Sequence, residues 1–211
     1  MTDRYPGYDV LAKRHTPSWD EQTRRVIDHR LALPREPRFF TADEWLTLVA
    51  LCGRIVPQPK HRPPIPVASM VDRKVADNLT DGYRNAHLPE LQEAWRRGLH
   101  AVDEEATARH GARFHAIGSA EQNDLLTRMQ QGKLDNPAWG GMPCALWFKQ
   151  RLVHDIAAAY YAHPTAWNEI GFGGPASPRG YVRMGFNRHD PWEAVEAGSP
   201  HDGREARRHA G

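Results

Sequence analysis

Cysteine is scarce in this chain of 211 residues, which contains only Cys52 and Cys144. The two lie far apart, so they form neither a Cys-x-x-Cys redox motif nor the paired cysteines of a zinc finger. One pair also cannot supply the several disulfides that hold small secreted domains together. The sequence therefore favours two reduced, mostly buried thiols, and one disulfide, internal or between subunits, is the alternative.

Two further absences concern charge of one sign and long apolar runs. Lysine and arginine number 28 against 26 acidic residues, a net charge of +2, and the basic residues are spread along the chain. Because nucleic-acid-binding domains usually concentrate basic residues on one face, we expect no nucleic-acid partner. No apolar run approaches the roughly 20 residues that a membrane-spanning helix needs, so no membrane span is predicted.

Strand signals are also missing, whereas glycine and proline are frequent, with 17 residues of each. Strict alternation of apolar and polar residues is absent, and the few β-branched residues fall within helical patterns. We therefore predict an all-α fold, an irregular bundle of four to six helices with proline- and glycine-rich connections and extended termini. The predicted organisation is an N-terminal arm over residues 1–40, a helical domain over 41–185 and a polar tail over 186–211. The arm wraps either its own domain or a partner, and the sequence favours neither.

The clearest helix begins at Thr41. Thr41 and Glu44 form a capping box, in which each side chain satisfies a free backbone N–H group of the first turn. Apolar residues then recur at helical spacing and predict one buried stripe. The stripe consists of Trp45, Leu48, Val49, Cys52, Ile55 and Val56.

Other helices are predicted from similar signals. Apolar spacing predicts helices over 67–79 and 88–110, and Gly111 is a suitable end for the second of these. Ser119 and Gln122 form another candidate capping box at the start of the next helix.

The run GFGGPA at Gly171–Ala176 fits the G-x-G-x-x-A pattern of dinucleotide-binding loops. That function needs a strand before the loop and a helix that begins at it, so that helix N–H groups meet the pyrophosphate. Here a helical pattern precedes the loop, and Pro175 and Pro178 oppose a regular helix after it. We therefore predict a turn whose glycines allow another backbone to approach closely, and no cofactor in this chain.

Histidine is frequent, with 12 residues, but its spacing predicts no metal site. The pairs His110/His115 and His154/His163 match neither an H-x-x-x-H helix face nor a Cys/His site. His154 and Asp155 are adjacent, and neighbours on a helix point about 100° apart, so we expect no acid–base pair between them. No serine or cysteine lies in a nucleophile elbow, and no catalytic residue is predicted.

The most distinctive segment runs from Pro143 to Tyr181. Its helix has a polar face at first, but IAAAYY at 156–161 has none apart from the tyrosine hydroxyls, so that end needs cover on every side. The following loop adds aromatic residues and an arginine, which are enriched in interface hot spots. We interpret the segment as a docking surface for another protein; the alternative is a core with a glycine-rich lid. The predicted interface residues are Tyr160, Tyr161, His163, Trp167, Glu169, Phe172, Gly173, Gly174, Arg179 and Tyr181.

Two stretches, FFTADEWLTLVALCGRIVPQ and HDIAAAYYAHPTAWNEIGFGGPASPRGY, resemble the gluconate 2-dehydrogenase subunit 3 family. The resemblance covers about residues 38–185. It implies a small, non-catalytic accessory subunit of a large FAD-dependent oxidoreductase of the glucose-methanol-choline type, which oxidises a sugar, sugar acid or alcohol. FAD is then expected in the partner subunit, and in some systems a multihaem cytochrome c subunit completes the complex. The implied role is assistance with folding or export of the flavoprotein.

Many members of that family carry a twin-arginine export signal. The N-terminal residues here are polar and lack the apolar region of such a signal. We therefore expect a cytoplasmic location, and a periplasmic one only if the chain is exported together with a signal-bearing partner.

Two other functions are open from the residues. The chain could be a stand-alone helical enzyme that uses His154 or the glycine loop, or a structural protein that self-associates through its aromatic face. If the docking interpretation holds, Trp167→Ala weakens the complex by about 2 kcal/mol or more, as expected of a hot-spot aromatic.

Overall fold

The structure, a computed structural model, describes residues 4–60, 62–175 and 190–198. Within these residues the chain is helical and contains no strand, so the all-α prediction is confirmed. The α-helices are α1 (Glu21–Leu31), α2 (Ala42–Ile55), α3 (Val67–Ala76), α4 (Leu91–His110), α5 (Ser119–Gln130), α6 (Cys144–Trp147), α7 (His154–Ala162) and α8 (Pro164–Ile170). A π-helical segment (Phe148–Val153) joins α6 to α7, and 3-10 helices cover Val10–His15, Phe114–Ala116 and Pro137–Trp139.

The number of helices in the described residues exceeds the four to six predicted, for two local reasons. The predicted fifth helix is divided, because the π-helical segment separates α6 from α7. Pro164 lacks a backbone N–H and cannot continue α7, so it takes the first position of α8, with His163 as the N-cap.

The sequence predictions for α2, a capping box and a buried apolar stripe, are partly confirmed. The capping box is confirmed, since the Thr41 N–H donates to the Glu44 carboxylate at 2.8 Å and the Glu44 N–H donates to the Thr41 hydroxyl at 3.3 Å. The apolar stripe is partly wrong, because Val49 is exposed. The buried face consists of Thr47, Leu48, Leu51 and Cys52.

Of the predicted ends of α4 and α5, the end at Gly111 is confirmed and the capping box at Ser119 is not. Gly111 ends α4 in the left-handed conformation, with φ of 75°, as expected for a C-terminal glycine. The capping box at Ser119 is wrong: Gly118 is the N-cap of α5, and no side chain caps the helix. Gln122 is instead buried, and its side-chain amide donates to the Phe114 carbonyl at 2.8 Å.

Contacts divide the chain into two compact units. Unit 1 contains the described residues of Met1–Leu33 and of Tyr161–Gly211, and unit 2 is Pro34–Tyr160. Within unit 1 the 3-10 helix Val10–His15 and α1 both contact α8, so this part of the arm packs on its own chain. The boundaries predicted at 40 and 185 stay a prediction.

Both cysteines are in unit 2, and both are free and buried. Burial raises the pKa of Cys52 to about 12, so its thiol stays protonated and inert at neutral pH. The prediction that both thiols are buried is confirmed. Separately, none of the helices described is both long and apolar enough to cross a bilayer.

The core of unit 2 contains a row of aromatic rings. Phe40, Trp95, Trp147 and Trp139 follow one another in edge-to-face contacts, with ring centroids 5.6–6.1 Å apart. All four are buried. Such pairs contribute about 0.5–1.5 kcal/mol each beyond their buried area, so this row holds α4 against α6.

Gly98 on α4 makes this packing possible, and we expect Gly98→Ala to destabilise unit 2. A Cβ at Gly98 would overlap the indole of Trp147, which is fully buried. Overpacking of this kind costs about 1–3 kcal/mol, and here it opposes the helix propensity that alanine gains over glycine. The measurement is the free energy of unfolding in urea.

The matched control is Gly53→Ala on α2, because Gly53 is exposed and a Cβ there would meet nothing within 4 Å. We expect this control to be neutral or stabilising. Equal stability of the two variants would contradict the proposed role of Gly98.

Candidate docking surface and polar cluster

The ten predicted interface residues have different environments. Arg179 and Tyr181 lie outside the described residues. Tyr161, Glu169 and Phe172 are exposed, and Gly173 is half-buried. Tyr160, His163, Trp167 and Gly174 are buried. These environments do not test contact with another protein, so the interface role of all ten stays a prediction.

Trp167 lies in the core of unit 1, with 3% of its surface exposed. It forms a buried cluster with Val10, Trp19 and Ile27, and its indole N–H donates to the Tyr161 carbonyl at 2.6 Å. In this conformation the ring cannot contact a partner directly. Trp167 can therefore affect docking only indirectly, by stabilising the conformation of unit 1.

The other three buried residues also have local partners. The His163 ring accepts a hydrogen bond from the Thr165 N–H at 3.3 Å and so caps α8. A Cβ on Gly174, whose φ is 68°, would lie 2.9 Å from the Trp167 ring, so glycine is needed there. In unit 2, Tyr160 accepts a hydrogen bond on its hydroxyl from the Arg62 guanidinium at 2.8 Å.

The exposed group forms the candidate docking surface, which we define as Tyr161, Glu169, Ile170 and Phe172. Tyr161 is 48% exposed, Ile170 46% and Phe172 42%. Ile170 was not among the predicted interface residues. It is the last residue of α8 and precedes Gly171, so no further helical turn covers its side chain, and this position was the available signal. Three large apolar groups exposed within a short segment, with a carboxylate beside them, are suited to protein contact.

The glycine loop (Gly171–Gly174) follows the C-terminal end of α8. The carbonyl end of a helix repels phosphate, whereas dinucleotide sites use the N–H end. The loop therefore does not fit a dinucleotide. Gly171 has φ of 64°, and a Cβ on it would lie 2.6 Å from the Tyr5 ring. A close approach was predicted, but the neighbour is an aromatic ring rather than a backbone.

A second polar site, the polar cluster, lies in unit 2 around Asp155, which is fully buried. Its carboxylate accepts hydrogen bonds from the Trp95 indole N–H and the Lys74 ammonium, both at 2.9 Å. Lys74 also donates to Asp81 at 2.7 Å. Arg151 lies 3.2 Å from Asp81 and 3.6 Å from Asp155. Two carboxylates and two cations thus neutralise one another.

The prediction that His154 and Asp155 do not pair is wrong. The Nδ1 atom of His154 lies 3.1 Å from a carboxylate oxygen of Asp155. The 100° angle separates the Cα–Cβ directions, but both side chains rotate about two torsions and can still converge. His154 is half-exposed, and its contact with Asp155 can fix the tautomer of its ring.

The shifts of pKa in the polar cluster follow from these pairs. Burial alone would lower the pKa of Lys74, but the hydrogen bonds that it donates to Asp81 and Asp155 outweigh burial and raise it. Burial would likewise raise the pKa of Asp81, and the hydrogen bond from Lys74 lowers it instead. Lys74 and Asp81 therefore stay charged at neutral pH, and each faces the opposite charge of the other.

Asp81, His154 and Asp155 also present ligand atoms within 4.8 Å of one another. Three such groups could hold a metal ion. The Lys74 ammonium already occupies both carboxylates, however, so a cation would have to displace it. The cluster therefore fits a structural role better than a metal centre. Sequence spacing could not reveal it, because Asp81 lies far from the other two along the chain.

The family comparison agrees with the helical architecture. The sequence profile of the family described as "Gluconate 2-dehydrogenase subunit 3" matches residues 42–174. The match begins in α2 and ends in the glycine loop, so it contains the candidate docking surface, whereas the arm precedes it. Neither the curated proteins nor the solved structures gave a significant match. Because the profile covers more than half of the chain, this protein belongs to the gluconate 2-dehydrogenase subunit 3 family.

Proposed function

We propose that this chain is a non-catalytic small subunit that docks on a large FAD-dependent oxidoreductase of the glucose-methanol-choline type and stabilises it or assists its maturation. The partner binds FAD and oxidises a sugar, sugar acid or alcohol. A cytochrome c subunit is a further candidate member of the complex. Family membership carries the proposal, because the family is described as a subunit of gluconate 2-dehydrogenase.

Two features of the described residues support this function. The docking surface presents large apolar groups in the part of the chain that the family profile covers. The polar cluster has compensated charges, and the contacts of His154 are with Asp155 and Asp81, which gives it no nucleophile to activate. Binding of another protein is thus better supported than chemistry within this chain.

Energetic considerations favour a few residues of the docking surface as the main contributors. A stable interface buries about 1,600 Å² in total, yet a handful of residues supply most of the binding free energy. Tyr161 and Phe172 are of the aromatic type that interfaces favour, and Glu169 is of the polar type found at a rim.

We expect the double substitution Tyr161→Ser with Phe172→Ser to raise the dissociation constant for the flavoprotein by about tenfold or more, because it removes two apolar contacts. The matched control is Leu79→Ser with Tyr83→Ser in unit 2, where the side chains are 58% and 77% exposed. That pair is at least as exposed but lies apart from the docking surface in sequence, so we expect a change of less than about twofold.

The experiment begins with affinity purification of the tagged chain from its native cells and an absorbance spectrum of the eluate. A large chain that co-elutes with flavin bands supports the proposal, and its dissociation constants with the two double variants locate the surface. A colourless chain that elutes alone contradicts the proposal. Oxidation of a sugar or alcohol by the isolated chain would favour the enzymatic alternative, and sedimentation as an oligomer would favour self-association.

A further inference from the structure

Three consecutive residues of the glycine loop are each contacted by a different residue of the arm. The Tyr5 ring lies against Gly171. The Tyr8 hydroxyl donates to the Phe172 carbonyl at 3.2 Å. The Lys13 ammonium donates to the Gly173 carbonyl at 2.8 Å. We call residues Tyr5–Lys13 the arm segment.

A fourth contact ties the arm segment to α8. The Val10 N–H donates to the Asn168 side chain at 2.9 Å, and the Val10 side chain packs in the cluster that contains Trp167. The arm segment is therefore fixed to the helix that precedes the glycine loop as well as to the loop itself.

Contacts of this kind control a loop that has little conformational preference of its own. Gly171, Gly173 and Gly174 lack side chains and have access to many backbone conformations. The Phe172 N–H donates to the Trp167 carbonyl at 3.0 Å, but the next two carbonyls point to the arm segment. Without it, both carbonyls would accept from water, and the direction of the Phe172 side chain would depend on the edge-to-face contact of its ring with Trp167.

Lys13 is the most informative of these contacts because it is buried. Burial of an ammonium is costly unless it is hydrogen-bonded. Burial lowers the pKa of Lys13, and the nearby carboxylates of Glu193 and Asp190 oppose this shift. Since the side chain is almost fully covered, Lys13 can affect a partner only through the loop that it holds.

Tyr8 complements Lys13 as a donor that does not titrate near neutral pH. Burial, assisted by Glu193 and Asp9, raises the pKa of Tyr8 to about 12. The hydroxyl therefore stays protonated and can donate to the Phe172 carbonyl.

We propose that the arm segment is the positioning element of the docking surface, and that Lys13 is a positioning residue which holds the glycine loop in the conformation that presents Phe172 to the partner. The docking part of this inference rests on the proposed function. The arm segment lies outside residues 42–174, which the family profile matches. The docking surface lies within the matched residues, whereas the element that positions it lies outside them.

The test uses Lys13→Met in the full chain, because methionine has a similar length but cannot donate a hydrogen bond. We expect hydrogen exchange at the amides of 172–174 to become about tenfold faster, and the dissociation constant for the co-purified flavoprotein to rise about fivefold. Because relief of the buried charge and loss of its hydrogen bond oppose each other, the melting temperature should change little. A purely structural role would instead lower it and leave the loop unaffected.

The matched control is Arg14→Met, since Arg14 is the next residue in the same 3-10 helix and pairs with Asp28 rather than with the loop. It removes one cation and should change loop exchange by less than twofold. Tyr8→Phe removes a single hydroxyl and should accelerate loop exchange about threefold, which provides a second, milder variant.

Loop exchange in Lys13→Met within twofold of wild type would overturn the positioning role, whatever the partner does. If wild type binds the flavoprotein and Lys13→Met binds equally well, the docking half of the inference is wrong while the proposed function stands. If wild type binds no flavoprotein, the proposed function and the docking half both fail, and the exchange rates still decide whether the arm segment positions the loop.

Discussion

Substitution of Asp155 by alanine is expected to destabilise unit 2 by about 3–5 kcal/mol, which is the usual cost of removing one partner from a buried ion pair. Asp155 is fully buried and pairs with Lys74 and Arg151. Its removal would leave the Trp95 indole N–H without its acceptor and Arg151, itself buried, with Asp81 alone. The measurement is the free energy of unfolding in urea.

Two controls separate charge from geometry. Asp155→Asn keeps an oxygen that can accept from Trp95 but loses the charge, so we expect about half the effect. Asp124→Ala removes an exposed carboxylate that pairs with Arg128 at 2.6 Å one turn along α5, and such pairs contribute less than about 1 kcal/mol. If Asp155→Ala costs no more than Asp124→Ala, the polar cluster does not hold unit 2 together.

The position of Asp155 explains how the polar cluster joins three helices. Asp155 is the second residue of α7, directly after the π-helical segment, and π-helical turns are often retained at functional positions. Through its carboxylate α7 is joined to Lys74 on α3 and to Trp95 on α4. The cluster thus fixes the start of α7 against α3 and α4 within unit 2.

Features that depend on neighbours along the chain could be predicted from the sequence. The capping box of Thr41 and Glu44 needs only three-residue spacing and formed as expected. Gly111 ended α4 because glycine adopts a positive φ without strain. The N-cap prediction at Ser119 was wrong by one residue, because α5 begins at Ser119 itself and Gly118 is the N-cap.

Features that depend on distant residues could not be predicted. Nothing near Asp81 in sequence indicates that it meets Lys74 and Arg151. The predicted interface residues were chosen by their composition, which could not predict which of them are buried and which are exposed. Tyr5 in particular covers Gly171, although the two are distant in sequence.

Substitution of Trp167 by alanine is expected to lower the stability of unit 1 by about 3–5 kcal/mol, as for other large buried aromatics. From the sequence, we expected the substitution to weaken binding by removing a direct contact with the partner. Because only 3% of the Trp167 surface is exposed, the substitution must act first on the stability of the fold. The variant would leave a cavity beside Val10, Trp19 and Ile27. It would also remove the ring that packs edge-to-face on Phe172 at 5.4 Å.

Trp167→Phe distinguishes the two roles, because phenylalanine keeps most of the apolar bulk and loses the hydrogen bond to the Tyr161 carbonyl. We expect a loss of stability of about 1–2 kcal/mol, measured by urea unfolding, and a dissociation constant for the flavoprotein within about threefold of wild type. A direct hot-spot contact would behave in the opposite way, with little loss of stability and a large loss of binding. That second pattern would mean that Trp167 turns outward in the complex, and that unit 1 rearranges when the partner binds.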